Sequence, residues 1–285
     1  MILLRLVILR KNLSMGFNKQ HIYLLAACAA LCGCADHASV RLSLDFSKQN
    51  AWRYALDAVV NGSIASRDTQ RTFTSAAHCT LDGSVDPSDP RRLHAVVSSV
   101  SISSNILGEA EVQNLTEQAK GVRLICALND GMIAPEDSSV LPLVRIGEWD
   151  LFKDLAKTVP ALPTVKVRVG STWDREKTIP LETKHGSAAG HLLQSFSLDS
   201  LYSDNRNMSL ALLRWKFTYQ LEFKRLDTAS LLDNMPSKGS GTGNAVINVT
   251  EKTLESASVH FIVPAAGQGD FRISWREDIE LKLVK

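Results

Sequence analysis

The sequence predicts an α+β fold that is mostly antiparallel β-sheet, built as curved sheets or a sandwich, with two or three helices. Apolar and polar side chains alternate along most of the chain, as in strands with one buried and one solvated face. Asn-Gly, Asp-Gly and proline clusters interrupt these runs at turn-like intervals. Residues 109–120 and 147–157 have instead the spacing and composition of helices.

In the first half, period-two alternation predicts strands that bury one face. It places Val40, Leu42, Leu44 and Phe46 on one side of the first strand, and Trp52, Tyr54, Leu56 and Ala58 on one side of the second. Asn61-Gly62 predicts a hairpin turn, and Asp82-Gly83 with the cluster 87–90 predicts the next break. We therefore expect strands at 40–46, 52–59, 64–81 and 93–106.

The centre of the chain contains both predicted helices. The first covers 109–120 and is closed by Gly121, and a strand at 122–128 followed by a turn at 129–131 comes next. The second covers 147–157, where Trp149, Phe152 and Leu155 are expected to be buried. Prolines 160 and 163 end that helix, because proline cannot continue it.

The second half is predicted to be almost wholly β. We expect strands at 164–169, 173–181, 191–201, 210–223, 245–250, 256–263 and 271–284. Gly239–Gly243 is interpreted as a flexible connector, and 264–270 as the connection between the last two strands. The proline-containing break at 158–163 divides the body into halves at 40–157 and 164–285. The sequence leaves open whether these are one continuous domain and whether they arose by duplication.

The clearest motif lies near the N-terminus, at Leu31-Cys32-Gly33-Cys34. It ends a ten-residue apolar run, 22–31, that follows Lys19 and His21. Such a run is too short for a transmembrane helix, which needs roughly 20 residues, and is typical of a cleaved signal. The motif resembles the lipobox of bacterial lipoproteins, although Cys32 stands where Ala or Ser is usual.

The lipobox resemblance implies acylation of Cys34 and cleavage before it. Residues 1–33 then form the signal peptide, whose true start is possibly Met15, and 34–39 form a lipidated tether. Paired acyl chains give stable membrane attachment. The expected location is the bacterial outer membrane, facing the periplasm, because Ala35 follows the cysteine where an inner-membrane retention signal places Asp.

The charge balance argues against a nucleic-acid partner. The full chain has 32 basic and 30 acidic residues, and four of the basic residues lie in the predicted signal. The body after residue 33 therefore has 28 basic and 30 acidic groups, without the basic excess that nucleic-acid binding requires. No motif predicts a metal or a cofactor.

A histidine motif at Thr74–Cys79 resembles that around the catalytic histidine of trypsin-like serine proteases. The resemblance implies that His78 acts as a general base. The Gly-Asp-Ser-Gly-Gly motif of that family does not occur in this sequence, so we predict no catalytic residue. The alternative interpretation is a strand with Phe73, Ser75, Ala77 and Cys79 facing inward and His78 facing outward.

Two cysteines, Cys79 and Cys126, remain in the body after Cys34. In an oxidising periplasm an even pair often forms a disulfide, which would stabilise the fold. Two separate buried thiols are the alternative. Each cysteine follows a strand-like run and precedes a glycine-containing turn. If the two occupied equivalent positions on adjacent strands, their α-carbons would be close enough for a disulfide.

Without a recognisable nucleophile, metal or acid/base motif, we predict a non-catalytic, membrane-anchored envelope lipoprotein that binds a hydrophobic ligand or an envelope protein. The predicted architecture is similar to the LolA-like and LppX-like lipid-binding folds, although shared architecture does not fix function. Four tryptophans in the predicted strands would line an apolar cavity if they faced one concave surface: Trp52, Trp173, Trp215 and Trp275. An anchored periplasmic hydrolase with an unrecognised site is the alternative.

Overall fold

Eleven strands form one continuous antiparallel sheet in the computed structural model of the chain. The structure describes residues 39–48, 51–129, 132–135, 145–146, 149–183, 186–226, 238–267 and 270–284. The predicted lipobox and signal lie outside these residues. Ser39–Lys285 forms one compact unit.

The first half of this body contains seven strands and both helices. They are β1 (Trp52–Ser66), β2 (Thr69–Asp86), β3 (Asp89–Ser104), α1 (Glu109–Ala119), β4 (Arg123–Asn129), β5 (Met132–Pro135), β6 (Arg145–Ile146), β7 (Trp149–Asp150) and α2 (Leu151–Thr158). The second half contains β8 (Thr172–Thr183), β9 (Gly186–Ser203), β10 (Ser209–Leu226), β11 (Lys238–Asn248), β12 (Thr253–Ala266) and β13 (Arg272–Leu283). A short 3₁₀ helix, Phe46–Lys48, precedes β1.

Two meanders meet at the centre of the sheet. The strand order is β5-β4-β3-β2-β1-β13-β12-β11-β10-β9-β8, and β6 pairs with β7 separately. The first and last long strands are hydrogen-bonded neighbours, with Leu56 opposite Leu281. The mostly antiparallel fold is confirmed, and the large sheet is a single curved layer instead of a sandwich.

Side-chain alternation determines which face of each strand is buried. Tyr54, Leu56 and Ala58 of β1 are 4% exposed or less, whereas their neighbours are partly or fully exposed. We call the face that carries these buried side chains the inner face, and the opposite one the outer face. The period-two pattern therefore predicted the buried face of β1 correctly.

The predicted turns at Asn61-Gly62 and Asp82-Gly83 are wrong, because both dipeptides lie inside long strands. The β1–β2 turn falls instead at residues 67–68. A Cβ on Gly62 would lie 2.2 Å from the ring of Phe73, and one on Gly83 would lie 2.0 Å from the ring of Trp52. These glycines make room for aromatic rings that cross from the neighbouring strand.

The predicted connector at Gly239–Gly243 is also wrong, because these residues form the start of β11. Its three glycines alternate along the strand, and each lies beneath an aromatic ring of a neighbouring strand. A Cβ would lie 2.4 Å from Phe261 at Gly239, 2.4 Å from Phe217 at Gly241 and 2.2 Å from Trp215 at Gly243. The absence of side chains at these glycines therefore leaves room for aromatic rings of the neighbouring strands on the inner face.

Two predicted strands, 40–46 and 164–169, are irregular segments instead. They are joined by an isolated bridge between Val40 and Val167 and do not enter the sheet. Leu42, Leu44 and Phe46 are nevertheless buried, as their alternation predicted. Packing against the core, without strand pairing, explains this burial.

The two helices differ in how well the sequence predicted them. The first is confirmed, ending one residue earlier than predicted, and Gly121 has a φ of +81°, which favours glycine. The second begins at Leu151, because β7 occupies the preceding two residues. Leu155 is buried as predicted, whereas the side chains of Trp149 and Phe152 lie outside the described residues.

We expect Gly243→Ala to destabilise the protein by about 1–3 kcal/mol, because the new methyl group would overlap the ring of Trp215. Urea unfolding followed by circular dichroism measures this change. Thr242→Val, which alters an exposed position on the outer face of β11, is the matched control and should have little effect. Equal stability of Gly243→Ala and wild type would contradict the ring packing.

Candidate functional site

A continuous buried segment lies against the inner face of the sheet. Every residue from Asp154 to Pro163 is buried, and this stretch, which we call the inner segment, comprises most of α2 and the chain that follows it. Helix α2 lies beside β12 and β13, near the centre of the sheet. A run of ten buried residues that includes charged side chains is unusual, because burying charge is costly.

The inner segment carries a buried charge cluster. The Lys157 ammonium group contacts Asp154 Oδ1 at 3.2 Å and forms a very short contact with Glu277 of β13. Lys157 and Asp154 are at most 1% exposed, and Glu277 is 4% exposed. The ammonium group also lies 4.9 Å from the centre of the Phe261 ring. The desolvation cost of such groups offsets much of their mutual attraction.

Strand β8, at one edge of the described sheet, holds the inner segment by its backbone. Trp173 Nε1 donates to Ala161 O at 2.8 Å, and Arg175 Nη2 donates to Leu162 O at 3.2 Å. Lys177 Nζ donates to the carbonyl oxygens of residues 156 and 159, at 3.1 and 3.3 Å. These three donors share a face because they alternate along β8. The carbonyl group of residue 156 lies in the last turn of α2, where carbonyl groups lack intrahelical partners, and the other three follow the helix.

Next to these donors, several buried polar atoms have no hydrogen-bond partner among the described residues. Gln194 of β9 is 2% exposed, and neither its amide nitrogen nor its amide oxygen is paired. Gln194 lies directly opposite Arg175, whose Nε is also unpaired, and Trp215 Nε1 of β10 is a third case. Unpaired buried polar groups cost free energy and are uncommon in native proteins.

Aromatic rings cover much of the inner face around these unpaired polar atoms. Trp173 stacks on Phe196 with centroids 5.5 Å apart, and Phe196 contacts Trp215 at the same distance. Phe217 stacks on Phe261 at 5.7 Å. Trp215 is buried, and the other three predicted tryptophans are partly buried against the core. The tryptophans therefore serve mainly as core residues.

A small apolar cavity lies beside α2, toward the first half of the sheet. Its volume is about 50 Å³, with Leu155 and Val159 contributed by the inner segment. The remaining lining comes from Phe46, Trp52, Tyr54, Leu81, Leu93, Ala95, Leu124, Cys126, Leu254 and Leu281. An apolar cavity known to bind benzene measures about 150 Å³, so this one is too small for an organic ligand of that size while the inner segment is in place.

The two cysteines of the body do not form the predicted disulfide. Both are free and buried, and their strands, β2 and β4, are separated by β3. On β3 their pairing partners are Val100 and Leu93, seven residues apart, so the cysteines are separated by roughly 20 Å or more. A disulfide requires α-carbons within about 7 Å. Burial also raises the pKa of the Cys79 thiol to about 12.

His78 lies on the outer face, as the strand interpretation predicted. Phe73, Ala77 and Cys79 are buried, and Ser75 is half-buried. His78 Nδ1 lies 2.5 Å from Asp57 Oδ1, across the β1–β2 pair. This resembles the histidine–aspartate half of a catalytic triad, but the described hydrogen bonds of His78 include no serine hydroxyl.

The outer face repeats this cross-strand pairing near its centre. His260 Nδ1 lies 2.6 Å from Asp278 Oδ1, across the β12–β13 pair. All four side chains of the two pairs are more than two-fifths exposed, and exposed pairs of this type contribute little stability. Within the described ranges, no group of three or more His, Cys, Asp or Glu residues could hold a metal ion.

Sequence periodicity did not predict that Arg175 and Lys177 of β8 face the inner side of the sheet, and the reason is physical. In β8 the residues alternate Trp173-Asp174-Arg175-Glu176-Lys177, so both faces of the strand read as polar. Hydrophobic alternation identifies a buried face only when that face is apolar. The one available signal was the segregation of charge, because the two cations lie on one face of the strand and the two carboxylates on the other.

No family model matches the chain, and no curated protein matches it. Neither described helix is long and apolar enough to cross a membrane.

Solved structures match the chain only at low similarity. Lipovitellin, studied for its lipid–protein interactions, matches 82% of this chain at 11% identity and a TM-score of 0.48. This chain spans only 25% of lipovitellin. Neisserial surface protein A matches 82% of this chain and 99% of its own, at 7% identity and a TM-score of 0.19.

A third structure is a DUF1329 family protein from Desulfovibrio piger. It matches 82% of this chain and 86% of its own, at 8% identity and a TM-score of 0.15.

The burial of Lys177 predicts a pH-dependent stability. Burial lowers the pKa of Lys177 from 10.5 to about 8 in the folded protein. Below pH 8 the group is protonated in both states, and the folded state bears the full cost of the buried cation. Between pH 8 and 10.5 the folded state loses its proton first, so the contribution of Lys177 to stability rises with pH.

We therefore expect the stability of wild type relative to Lys177→Met to increase between pH 7 and pH 10. Urea unfolding of both proteins at each pH measures this difference, and the other titrating groups largely cancel in the comparison. A difference that stays constant over this range would show that Lys177 does not titrate below its ordinary pKa.

Proposed function

We propose that this protein is a lipid-anchored, non-catalytic protein of the bacterial envelope that binds a hydrophobic ligand on the inner face of its sheet. In this proposal the inner segment covers that face in the free protein and leaves it when the ligand binds. The anchoring part of the proposal depends on the lipobox at Leu31–Cys34. The binding part depends on how the inner segment is held.

The observation that carries the binding proposal is the buried charge cluster of Lys157, Asp154 and Glu277. Well-packed apolar side chains would cover an apolar face at least as stably as buried charges. Charged groups also regain water when a segment leaves a buried site, which lowers the cost of removing it. The contacts from β8 involve backbone carbonyls, which water can equally well satisfy.

The apolar surroundings define the class of ligand. Removal of the inner segment would expose the aromatic side chains of the inner face. It would also expose the lining of the small cavity, which includes Tyr54 and Leu81. Burying apolar surface gives about 25 cal/mol for each Å². An extended hydrocarbon chain would therefore replace the inner segment on this face, with mostly non-directional contacts.

We expect Glu277→Gln to open the inner segment more often, because Lys157 loses its short charged contact with β13. The affinity for dodecanol should rise by at least about fivefold, equal to about 1 kcal/mol of reduced opening free energy. Calorimetric titration measures the affinity. Hydrogen exchange should become faster at the amide of Val159, which donates to Leu155 O, and should remain slow in the centre of β1.

Glu280→Gln is the matched control for this experiment. It lies on the outer face of the same strand, where Lys282 is its partner at 2.8 Å. Neither dodecanol affinity nor exchange at Val159 should change in this variant. Failure of the wild-type protein and of Glu277→Gln to bind dodecanol would contradict the binding proposal.

The anchor has its own test. Cys34→Ser should remain an uncleaved, unacylated precursor, because the thiol that accepts the lipid is missing. Cys32→Ser should be processed normally, because Ser is usual at that lipobox position. Intact-mass analysis of the membrane fraction distinguishes the two outcomes, and a wild-type protein with a free Cys34 thiol would overturn the anchoring proposal.

A further inference from the structure

We infer that the side chains of Trp173, Arg175, Lys177 and Gln194 bind the anionic, oxygen-rich headgroup of the hydrophobic ligand. This inference depends on the proposed function, because it states where one end of the proposed ligand binds on the same inner face. We call these four side chains the inner polar cluster. The ligand is then an amphiphile with a single hydrocarbon region and a carboxylate or phosphate at one end.

The first argument is the charge of the cluster. Arg175 and Lys177 are cations on the inner face, and the hydrogen-bond acceptors that the structure describes for them are backbone carbonyls of the inner segment. Lys157, by contrast, contacts two carboxylates. Two inner-face cations whose described partners are neutral carbonyls form a place where an anion would be stabilised.

The second argument is the balance of donors and acceptors. Trp173, Arg175 and Lys177 supply only N–H donors, and Gln194 supplies two more N–H donors with a single acceptor oxygen. A carboxylate or a phosphate has only acceptors when fully ionised. Such a group complements this cluster better than an alcohol or an amide, which would bring donors of its own.

The third argument, independent of the others, is Gln194. Its side chain is 98% buried on an apolar face, and both of its amide atoms are unpaired among the described residues. Leucine or methionine would fill the same space without the cost of an unsatisfied amide. The inner segment gives no described hydrogen bond to Gln194, so holding that segment does not explain the residue. A ligand that hydrogen-bonds the amide does.

The fourth argument is position. Gln194 lies opposite Arg175 in the β8–β9 register, and Trp173 and Lys177 lie two residues to either side of Arg175. Neighbouring strands are about 4.8 Å apart and alternate residues about 7 Å apart, so one headgroup can reach several of these donors. The aromatic rings of Phe196 and Trp215 lie beside this position and would contact the adjoining hydrocarbon.

The binding step is an exchange of acceptors. In the free protein, the carbonyl oxygens of residues 156, 159, 161 and 162 accept the hydrogen bonds of β8. When the inner segment leaves, the headgroup oxygens take their place and add a bond from Gln194. The ion pairs so formed explain why two of the three donors on β8, Arg175 and Lys177, are cations when the carbonyl groups alone would need only neutral donors.

The test compares three ligands with the same hydrocarbon chain: dodecanoate, dodecyl phosphate and dodecanol. Titration of the full-length protein should show that at least one anion binds at least about tenfold more tightly than the alcohol, because hydrogen bonds to a charged group are stronger than those to a neutral one. The preference between dodecanoate and dodecyl phosphate identifies whether the natural headgroup is a carboxylate or a phosphate.

Two variants assign the preference to the cluster. Gln194→Leu and Arg175→Gln should each weaken binding of the preferred anion by about tenfold and change dodecanol binding by less than twofold. Arg214→Gln, which alters an exposed arginine on the outer face, should change neither. Gln194→Leu should fold with equal or higher thermal stability, because it removes an unpaired buried amide, so loss of anion binding in this variant is not a folding defect.

The outcomes separate this inference from the proposed function. Equal affinity for anions and dodecanol, or an anion preference that survives in both variants, would overturn the headgroup assignment and leave hydrophobic binding intact. Failure of all three ligands to bind would overturn the proposed function and this inference with it. An anion preference that is lost in Gln194→Leu and retained in Arg214→Gln would support both.

Discussion

The structure depends on how an eleven-stranded sheet covers its apolar face. A single sheet layer leaves that face exposed unless another element packs on it, and here the described covering includes the inner segment and the irregular chain at 40–46. Ten consecutive residues of the inner segment are buried, although three of them are charged or polar. The sheet therefore dictates that Lys157 and Asp154 be buried, and Glu277 of β13 is the group that makes this tolerable.

The covering of the inner face is uneven in its chemistry. Toward the first half of the sheet, Leu155 and Val159 pack beside a small cavity with wholly apolar lining residues. Toward β8, the same segment is held through its backbone by Trp173 and two cations, and Gln194 of β9, whose amide is unpaired among the described residues, lies opposite Arg175. A hydrocarbon matches the first environment and an anion matches the second. An amphiphile whose two ends differ in this way complements the whole face, which is why the proposed ligand and its headgroup belong together.

Aromatic rings and glycines on neighbouring strands shape this face. Trp215, Phe217 and Phe261 each lie over a glycine of β11, where any side chain would collide with the ring. The rings thus approach the β11 backbone closely, and Phe261 also lies beneath the ammonium group of Lys157. This arrangement uses glycine for close approach within a strand, although glycine is ordinarily unfavourable in strands because it has no side chain to pack.

The sequence by itself determined the strands that alternate regularly, the faces they bury and the helix at 109–119. Local periodicity suffices there, because side-chain direction alternates with each residue of a strand. Only the tertiary structure decided the roles of Gly62, Gly83 and Gly239–Gly243, since the rings that need their space come from residues distant in sequence. It also decided the separation of Cys79 from Cys126 and the inner polar cluster. The cluster combines β8, β9 and the inner segment, and strand pairing brings these together by contacts that no local pattern of residues records.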